Sequence, residues 1–236
     1  MSRDIYPSMT AATAVMEKIN YIANNLSNTN TVGYRARKTS FENVIAKEGF
    51  LGDSYVQLSE PKLSDRDGGL IIDNVDTHFA LRGKGFFVVE STGGEELLTR
   101  SGNFQLDSNG QLVNSLGEIV MGDSGPIRFE QDQKYFSVTP EGAVIDDFGS
   151  EIGRLKVVEG VGLDPLEGQR FRAKETVQLE MGYEVVQGAV ENSNVDSFQV
   201  MMDLIKTSRN FETFQKSMGN SKELDMAMIN SVKRSR

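Results

Sequence analysis

Both ends of the chain carry a heptad-like repeat of apolar residues, and this feature limits the possible folds more than any other. Near the N-terminus, apolar side chains recur at alternating intervals of four and three residues, at Ile5, Met9, Ala12, Met16, Ile19, Ala23 and Leu26. This spacing predicts a helix with one apolar seam, which needs a partner to cover it. The helix should end in the polar run from Ser27 to Gly33, whose side chains compete for backbone hydrogen bonds.

The C-terminal part predicts a second, longer helix. Ser193 and Asp196 fit a capping box at its start, where a hydroxyl and a carboxylate satisfy backbone N–H groups. The same alternation of four- and three-residue intervals then continues through Val200, Leu204, Thr207, Phe211, Phe214, Met218, Ser221, Asp225 and Met228. A second apolar stripe widens this face over the first turns, at Phe198, Met201, Met202 and Ile205. We expect a helix of roughly 35 residues, or about 50 Å.

The segment between the helices predicts β structure. Residues 34–76 are interrupted by Gly and Pro and should form extended connecting chain with short strands. Over residues 79–179, short apolar pieces alternate with turn residues, which is typical of an all-β domain. Asn109-Gly110 predicts the tight turn of the clearest hairpin, because this pair accepts positive φ angles. Leu116-Gly117 and Glu141-Gly142 predict further turns. A small β domain cannot cover two long helices, so we expect the helices to pair with each other or with other copies.

Composition argues against several classes of function. The formal charge of −9 disfavours nucleic-acid binding, which needs a concentrated basic face. The chain contains no cysteine and so forms neither disulfides nor thiolate metal sites. No apolar run approaches the roughly 18 residues of a membrane span. The first residues lack the apolar region of a cleavable signal peptide, so we expect export by another route.

Residues suited to catalysis or metal binding are sparse. The single histidine, His78, has no Cys or second His with which to form a zinc site. Gly83-Lys84-Gly85 lacks the rest of a phosphate-binding loop, and we expect a strand-to-strand turn there. We therefore predict no catalytic, cofactor-binding or metal-binding residues and no enzymatic activity.

Three parts of the chain resemble a known family, and they occur in the family's order. The run Asn24 to Arg35 (Asn-Asn-Leu-Ser-Asn-Thr-Asn-Thr-Val-Gly-Tyr-Arg) is similar to the N-terminal signature of the flagellar axial proteins, the rod and hook subunits. Residues 81–89 and 99–113 resemble the β-domain core of that family. Residues 187–195 and 209–212 resemble its C-terminal signature. The chain thus resembles a flagellar basal-body rod protein, and its opening residues look most like the proximal rod subunit.

The residue patterns and the resemblance together predict a mixed α and β fold. Its terminal helices would form a discontinuous coiled coil, accompanied by one mostly antiparallel all-β domain. Five segments are expected: an N-terminal helix (1–33), an extended connector (34–76), the β domain (77–180), a returning connector (181–192) and a C-terminal helix (193–236).

The resemblance also implies a function, a location and partners. It implies a structural subunit that self-assembles with itself and other rod proteins into the hollow axial drive shaft of the bacterial flagellum, in support of motility. The rod lies in the periplasmic space. The subunit would be made in the cytoplasm, pass through the flagellar type III export apparatus and be monomeric before assembly.

The assembly interface should draw on both helical seams and the signatures beside them. The signature asparagines are expected either to cap backbone groups or to bond neighbouring subunits, and Gly33 to permit a sharp turn. For the apolar residues of the second helix, packing within the chain and contact between subunits are equally compatible with the pattern. The expected interface residues are Ile5, Met9, Met16, Ile19, Asn24, Asn25, Leu26, Asn28, Gly33, Tyr34, Ser193, Asn194, Val195, Leu204, Arg209, Phe211, Glu212, Phe214 and Met218.

Three alternatives to a proximal rod subunit are open at this point. A distal rod or other axial subunit would carry the same signatures. From another class, a β-domain enzyme or binding module with helical oligomerisation arms would need a cleft of converging polar groups within residues 79–179. A soluble scaffold or chaperone would share only the helical pairing.

Overall fold

The chain is described by a computed structural model over residues 5–45, 54–129 and 136–234. Its residues divide into two compact units. Unit 1 comprises Met1–Thr29, Ala36–Ser64 and Val195–Arg236, and unit 2 comprises Asn30–Arg35 and Asp65–Asn194. Each unit therefore combines segments that are far apart in the sequence.

Unit 1 contains both helices and two short β ribbons. Helix α1 spans Ile5–Ser27 and helix α2 spans Ser197–Arg234, with 23 and 38 residues. The strands are β1 (Arg37–Lys38), β2 (Phe41–Ile45), β3 (Ser54–Leu58) and β4 (Lys62–Leu63). Antiparallel pairing joins β1 to β4 and β2 to β3. The two helices contact each other, and α1 also contacts β3.

The buried face of α1 is rotated from the predicted seam. Ala12, Val15 and Ile22 are buried, whereas Met9 and Met16 are 55% and 56% exposed. The predicted and observed faces share Ala12 and have the same four-three spacing, but the observed face includes the branched side chains of Val15 and Ile22. Met9 and Met16 consequently remain as an exposed apolar border within the single chain.

Helix α2 follows its predicted main stripe more closely. Thr207 is buried, and four other members of the stripe are half-buried, namely Val200, Leu204, Phe211 and Met218. The second stripe is exposed, at Phe198, Met201, Met202 and Ile205. Neither helix in the described ranges is both long enough and apolar enough to cross a bilayer.

The predicted N-cap of α2, Ser193, is wrong by three residues. The helix begins at Ser197, and the N-cap is Asp196, whose Oδ1 accepts a hydrogen bond from the Gln199 N–H at 3.1 Å. Ser193 cannot cap this helix because the preceding segment is held in non-helical conformation. Asn194 N–H donates to the Tyr34 carbonyl at 3.3 Å, and its side-chain amide donates to the Arg66 carbonyl at 2.6 Å.

Unit 2 is an antiparallel β structure, as predicted. Ten strands form the largest sheet, in which β7 is flanked by β8 on one side and by β11 and β16 on the other. A three-stranded sheet, β13–β15, and the ribbons β6–β20 and β5–β21 complete the unit. The strands are β5 (Leu70–Ile72), β6 (Phe79–Gly83), β7 (Phe86–Glu90), β8 (Glu96–Thr99), β9 (Gln105–Leu106), β10 (Leu112–Val113), β11 (Ile119–Gly122), β12 (Gly125–Pro126), β13 (Phe136–Val138), β14 (Ala143–Asp146), β15 (Glu151–Arg154), β16 (Val157–Val161), β17 (Asp164–Pro165), β18 (Arg170–Arg172), β19 (Glu175–Gln178), β20 (Tyr183–Gln187) and β21 (Ala189–Glu191).

Aromatic side chains from β6, β7 and the residue before β9 form the centre of the unit 2 core. Phe79, Phe87 and Phe104 are essentially inaccessible to solvent. The Phe104 ring lies 5.4 Å from the Phe87 ring, edge to face, and 6.1 Å from the Phe79 ring. Edge-to-face contacts add to the stabilisation from area burial. This core fixes the loops that carry the site described below.

The hairpin predicted at Asn109-Gly110 is present, with Leu112 paired to Leu106. Its turn differs from the prediction, because Gly110 has φ of 72° whereas Asn109 is not in the left-handed region. The Asp107 carboxylate selects this turn by accepting hydrogen bonds from the N–H groups of Asn109 and Gln111. Equivalent turns begin at Asn114, Thr139 and Asp146.

Candidate assembly site

The structure divides the expected interface residues between the two units. Unit 2 holds four of them, with Asn194 half-buried and Gly33, Tyr34 and Ser193 buried. In unit 1, the exposed members are Met9, Met16, Asn24, Arg209, Glu212 and Phe214. Asn25 is buried, and the half-buried members are Ile19, Leu26, Asn28, Val195, Leu204, Phe211 and Met218. The Ile5 side chain lies outside the described part of the chain.

Two signature asparagines bond to backbone within unit 1. The Asn25 side chain donates to the Arg37 carbonyl at 2.9 Å and accepts from the Arg37 N–H at 3.0 Å, so it bonds to both backbone polar groups of this β1 residue. The Asn28 amide donates to the Asn24 carbonyl at 2.8 Å, at the end of α1 where carbonyls lack helical partners. Both side chains therefore bond to backbone groups of their own chain, and bonding to neighbouring subunits stays a prediction.

A cluster of four charged side chains in unit 2, three buried and one half exposed, is a highly connected polar site that the sequence did not indicate. We call Arg35, Asp67, Arg100 and Glu191 the signature cluster. Glu191, at the end of β21, is 2% exposed and Arg100, after β8, is 0% exposed. The Arg100 Nε donates to Glu191 Oε2, and Arg35 Nη2 donates to Glu191 Oε1 at 3.2 Å. One carboxylate therefore binds two guanidinium groups out of contact with water.

Arg100 also binds the strand-to-strand turn predicted at Gly83-Lys84-Gly85. Its guanidinium donates to the Gly85 carbonyl, to the Leu81 carbonyl at 3.0 Å and to the Gly83 carbonyl at 2.5 Å. Burial lowers the pKa of Arg100, and the Glu191 carboxylate opposes this effect. The guanidinium stays charged at neutral pH, because an Arg side chain is not deprotonated in proteins. Arg100 thus stabilises both the turn and the buried carboxylate.

Arg35 and Asp67 complete the cluster and belong to two other segments of the chain. Arg35 Nη2 donates to Asp67 Oδ1 at 2.8 Å, and Nη1 donates to the Arg66 carbonyl at 3.2 Å. The Gly68 N–H donates to Glu191 Oε1 at 2.9 Å. The cluster therefore holds the residues next to Arg35, Gly68 and Glu191 against one another.

Gly33 lets the N-terminal signature approach the cluster. It has φ of +70°, and its N–H donates to the Glu191 carbonyl at 2.8 Å. A Cβ at this position would lie 2.4 Å from the Ser101 backbone nitrogen. The turn predicted for Gly33 is present, but close backbone packing is a second reason for glycine that the sequence did not indicate.

The single histidine lies in a separate polar contact. The His78 Nδ1 lies 2.6 Å from Asp73 Oδ2. Burial raises the pKa of Asp73, but hydrogen bonds with His78 and the Val75 N–H lower it more, so its pKa is below the usual range. Among residues 5–45, 54–129 and 136–234, no group of three or more Asp, Glu and His side chains is arranged to hold a metal ion.

Comparison with known proteins places these elements in a family. Three family models match the chain: "Flagella basal body rod protein" at residues 5–35, "Flagellar hook protein FlgE/F/G D1 domain" at 80–145, and "Flagellar basal body rod FlgEFG protein C-terminal" at 186–231. The flagellar basal-body rod protein FlgF of Rhizobium meliloti (strain 1021) is 30% identical over 97% of both chains. The chain belongs to the flagellar basal-body rod protein family.

Other rod proteins show the same full-length similarity. FlgF of Escherichia coli (strain K12) is 28% identical over 90% of this chain and 91% of its own length. FlgG of Bacillus subtilis (strain 168) is 26% identical over 98% of this chain and 99% of its own length. The chain is thus more similar to these two FlgF proteins than to this FlgG protein. Because these relatives are rod proteins and not enzymes, the prediction of a structural subunit of the flagellar rod is confirmed.

The signature cluster takes one charged residue from each matched region. Arg35 ends the first match, Arg100 lies in the second and Glu191 lies in the third. Three segments that the sequence analysis recognised separately therefore meet at one buried site. No spacing rule could have predicted this, because Arg35 and Glu191 are 156 positions apart in the rod subunit.

Proposed function

We propose that this rod subunit is a proximal rod subunit that polymerises through its terminal helices. Helices α1 and α2 would pair as a coiled coil, and copies of the chain and other rod proteins would stack around a hollow axis in the periplasmic space. The subunit would leave the cytoplasm through the flagellar type III export apparatus and be monomeric until it is assembled. Similarity to the FlgF proteins supports the proximal position.

The observation that carries the proposal is the exposed apolar surface on two helices that already contact each other. On α1, Met9 and Met16 are more than half exposed, and on α2 the same is true of Met202 and Ile205. Clustered apolar side chains rimmed by polar residues mark interaction sites. In the rod, these side chains would be covered by neighbouring copies, as would the other exposed members of the expected interface.

A double substitution on α1 tests the proposal. Met9→Asp with Met16→Asp places two charges where the proposal requires contact between subunits, but both side chains are already solvent-exposed in the single chain. We expect the variant to be made and exported, but to be missing from purified basal bodies. Asn20→Asp, which adds a charge at an exposed polar position of the same helix, is the matched control and should assemble. Normal rods from the double variant would refute assembly through this face.

A further inference from the structure

The tip of the β14–β15 hairpin in unit 2 presents an aromatic side chain to solvent. Phe148 is 90% exposed. Its backbone is ordered by Asp146, whose Oδ1 accepts hydrogen bonds from the N–H groups of Phe148 at 2.8 Å and Ser150 at 2.7 Å. The ring therefore projects from a turn that needs little further ordering on binding, which lowers the entropic cost of a contact.

Acidic side chains lie beside this ring. Asp147 precedes Phe148 in the turn and Glu151 follows it at the start of β15, and both are exposed. Glu151 also lies 3.7 Å from the Arg154 Nε, so, among the residues that the structure describes, Asp147 supplies the unpaired charge next to the ring. The hairpin tip consequently combines an apolar centre with a negative rim. A complementary surface would be an apolar groove with positive charges at its edge.

Helix α2 carries such a groove. It is an open depression of about 320 Å³ lined by Met202, Ile205, Lys206, Arg209 and Asn210. Within the described part of the chain, neither Lys206 nor Arg209 forms an ion pair. The volume is at the small end of the roughly 300–1,000 Å³ typical of binding pockets. It suits one aromatic side chain better than a whole helix.

We propose that Phe148 of one copy inserts into the Met202–Asn210 groove of a second copy. The ring would contact the Met202 thioether and the Ile205 side chain, and sulfur–aromatic contacts of this kind are favourable. Lys206 and Arg209 would lie near the face of the ring and pair with the acidic rim of the hairpin. Aromatic side chains that fill a pocket inside a charged rim are typical anchors of protein interfaces.

The contact joins two different surfaces, so it is heterologous and repeats from copy to copy. Contacts of this type build rings or open helical arrays, depending on the rotation between copies. The inference rests on the proposed function, because it requires copies arranged in an ordered rod. It assigns the exposed Met202 and Ile205 of α2 to a β-domain contact, beside the contact through Met9 and Met16 of α1 proposed above.

Photo-crosslinking in cells that build flagella tests the contact. With benzoylphenylalanine in place of Phe148, we expect a cross-linked dimer in purified basal bodies, with the link mapped by mass spectrometry to residues 202–210. The same analogue at Leu116, which is 51% exposed at another hairpin turn, is the control and should give no link to that groove. A link within one copy, a link to another region, or no link from position 148 would overturn the proposal.

A charge exchange tests the specificity of the same contact. Asp147→Lys and Lys206→Glu alone should each reduce the cross-link yield up to about fivefold, because an exposed ion pair contributes at most about 1 kcal/mol. The double variant restores opposite charges and should recover the yield, which loss of folding could not do. Lys216→Glu, farther along α2, should leave the yield unchanged. Unchanged yields in both single variants, or no recovery in the double variant, would overturn the proposal.

The failure of this contact is distinguishable from failure of the proposed function. Phe148→Ala cells that build rods containing the chain, together with the absence of a link from position 148, would remove the contact and leave polymerisation through the helices intact. Absence of the unaltered chain from purified rods would remove both.

Discussion

At the scale of single residues, the stability of unit 2 depends on a carboxylate that has no access to water. Glu191 accepts from the Arg100 and Arg35 guanidinium groups and from the Gly68 N–H. Removing one partner from a buried ion pair leaves an uncompensated charge, which costs much more than the net contribution of the intact pair. The residues of the signature cluster are therefore mutually dependent.

Arg100→Met should destabilise unit 2 by about 3–5 kcal/mol, because it leaves Glu191 buried without its closest partner. Chemical denaturation monitored by near-ultraviolet circular dichroism would measure the free energy of unfolding. Arg172→Met is the control: Arg172 pairs with Glu95 by a similar geometry, but both side chains are about half exposed, so water replaces the lost partner. Equal losses for the two variants would contradict the role given to burial.

Gly33→Ala should destabilise unit 2 by about 1–3 kcal/mol, the cost of holding a non-glycine residue in strained backbone conformation. The added Cβ would also meet the Ser101 backbone, which cannot rotate away as a side chain could. Gly93→Ala is a suitable comparison, since a Cβ there meets nothing within 4 Å. If thermal unfolding showed the same midpoint for both variants, close packing at Gly33 would be wrong.

At the scale of elements, four hairpins of unit 2 share one type of turn, at residues 107–110, 114–117, 139–142 and 146–149. Each has Asp, Asn or Thr at its first position and Gly at its fourth, and the first side chain accepts N–H groups of the turn. The glycines made these hairpins predictable from sequence. The turn type at Asn109-Gly110 could not be predicted, because it is determined by the hydrogen bonds of Asp107, two residues before Asn109.

Asp107 should make hairpin stability depend on pH. The Gln111 N–H is the main cause of its lowered pKa, with the Asn109 N–H acting in the same direction. A lowered carboxylate pKa contributes stability above the unfolded pKa of about 3.9, and the contribution is lost as pH falls through the folded pKa. Asp107→Ala should therefore lower the unfolding temperature at pH 7, with a smaller difference from the unaltered protein below about pH 4.

The neutral isostere Asp107→Asn is the control for this measurement. It keeps an acceptor oxygen without the titrating charge, so its difference from Asp107→Ala should be nearly independent of pH. Differential scanning calorimetry across the acidic range would record both. If the unfolding temperature of Asp107→Ala fell further below that of the unaltered protein as the pH is lowered, the lowered pKa of Asp107 would be contradicted.

The periodicity of apolar residues predicted where the helices occur but not which side of α1 is buried. The four-three spacing predicted both helices, and α1 ends at Ser27, the first residue of the polar run to Gly33 in which its end was expected. It could not decide which side of α1 faces inward, since Val15 and Met16 fit nearly the same spacing. The start of α2 was wrong because Asn194 is held by non-local hydrogen bonds to Tyr34 and Arg66.

At the scale of the whole molecule, segments that are distant in the sequence come together within unit 2. The N-terminal signature, the β-domain core and the C-terminal signature each supply a charge to the signature cluster in unit 2, while unit 1 exposes apolar residues on both helices. The antiparallel β structure and rod family could be predicted from local patterns. The cluster could not, because it depends on the tertiary proximity of residues distant in sequence.

The most direct test of the central claim is solvent accessibility at Met16 before and after assembly. The chain has no native cysteine, so Met16→Cys provides a single maleimide-reactive site. A separate variant, Met181→Cys, provides one at an 84% exposed position of unit 2. We predict that Cys at position 16 reacts in the purified subunit and is protected in intact basal bodies, whereas position 181 reacts in the purified subunit and reports reagent activity. Equal labelling of position 16 in the free subunit and in assembled rods would contradict polymerisation through the terminal helices.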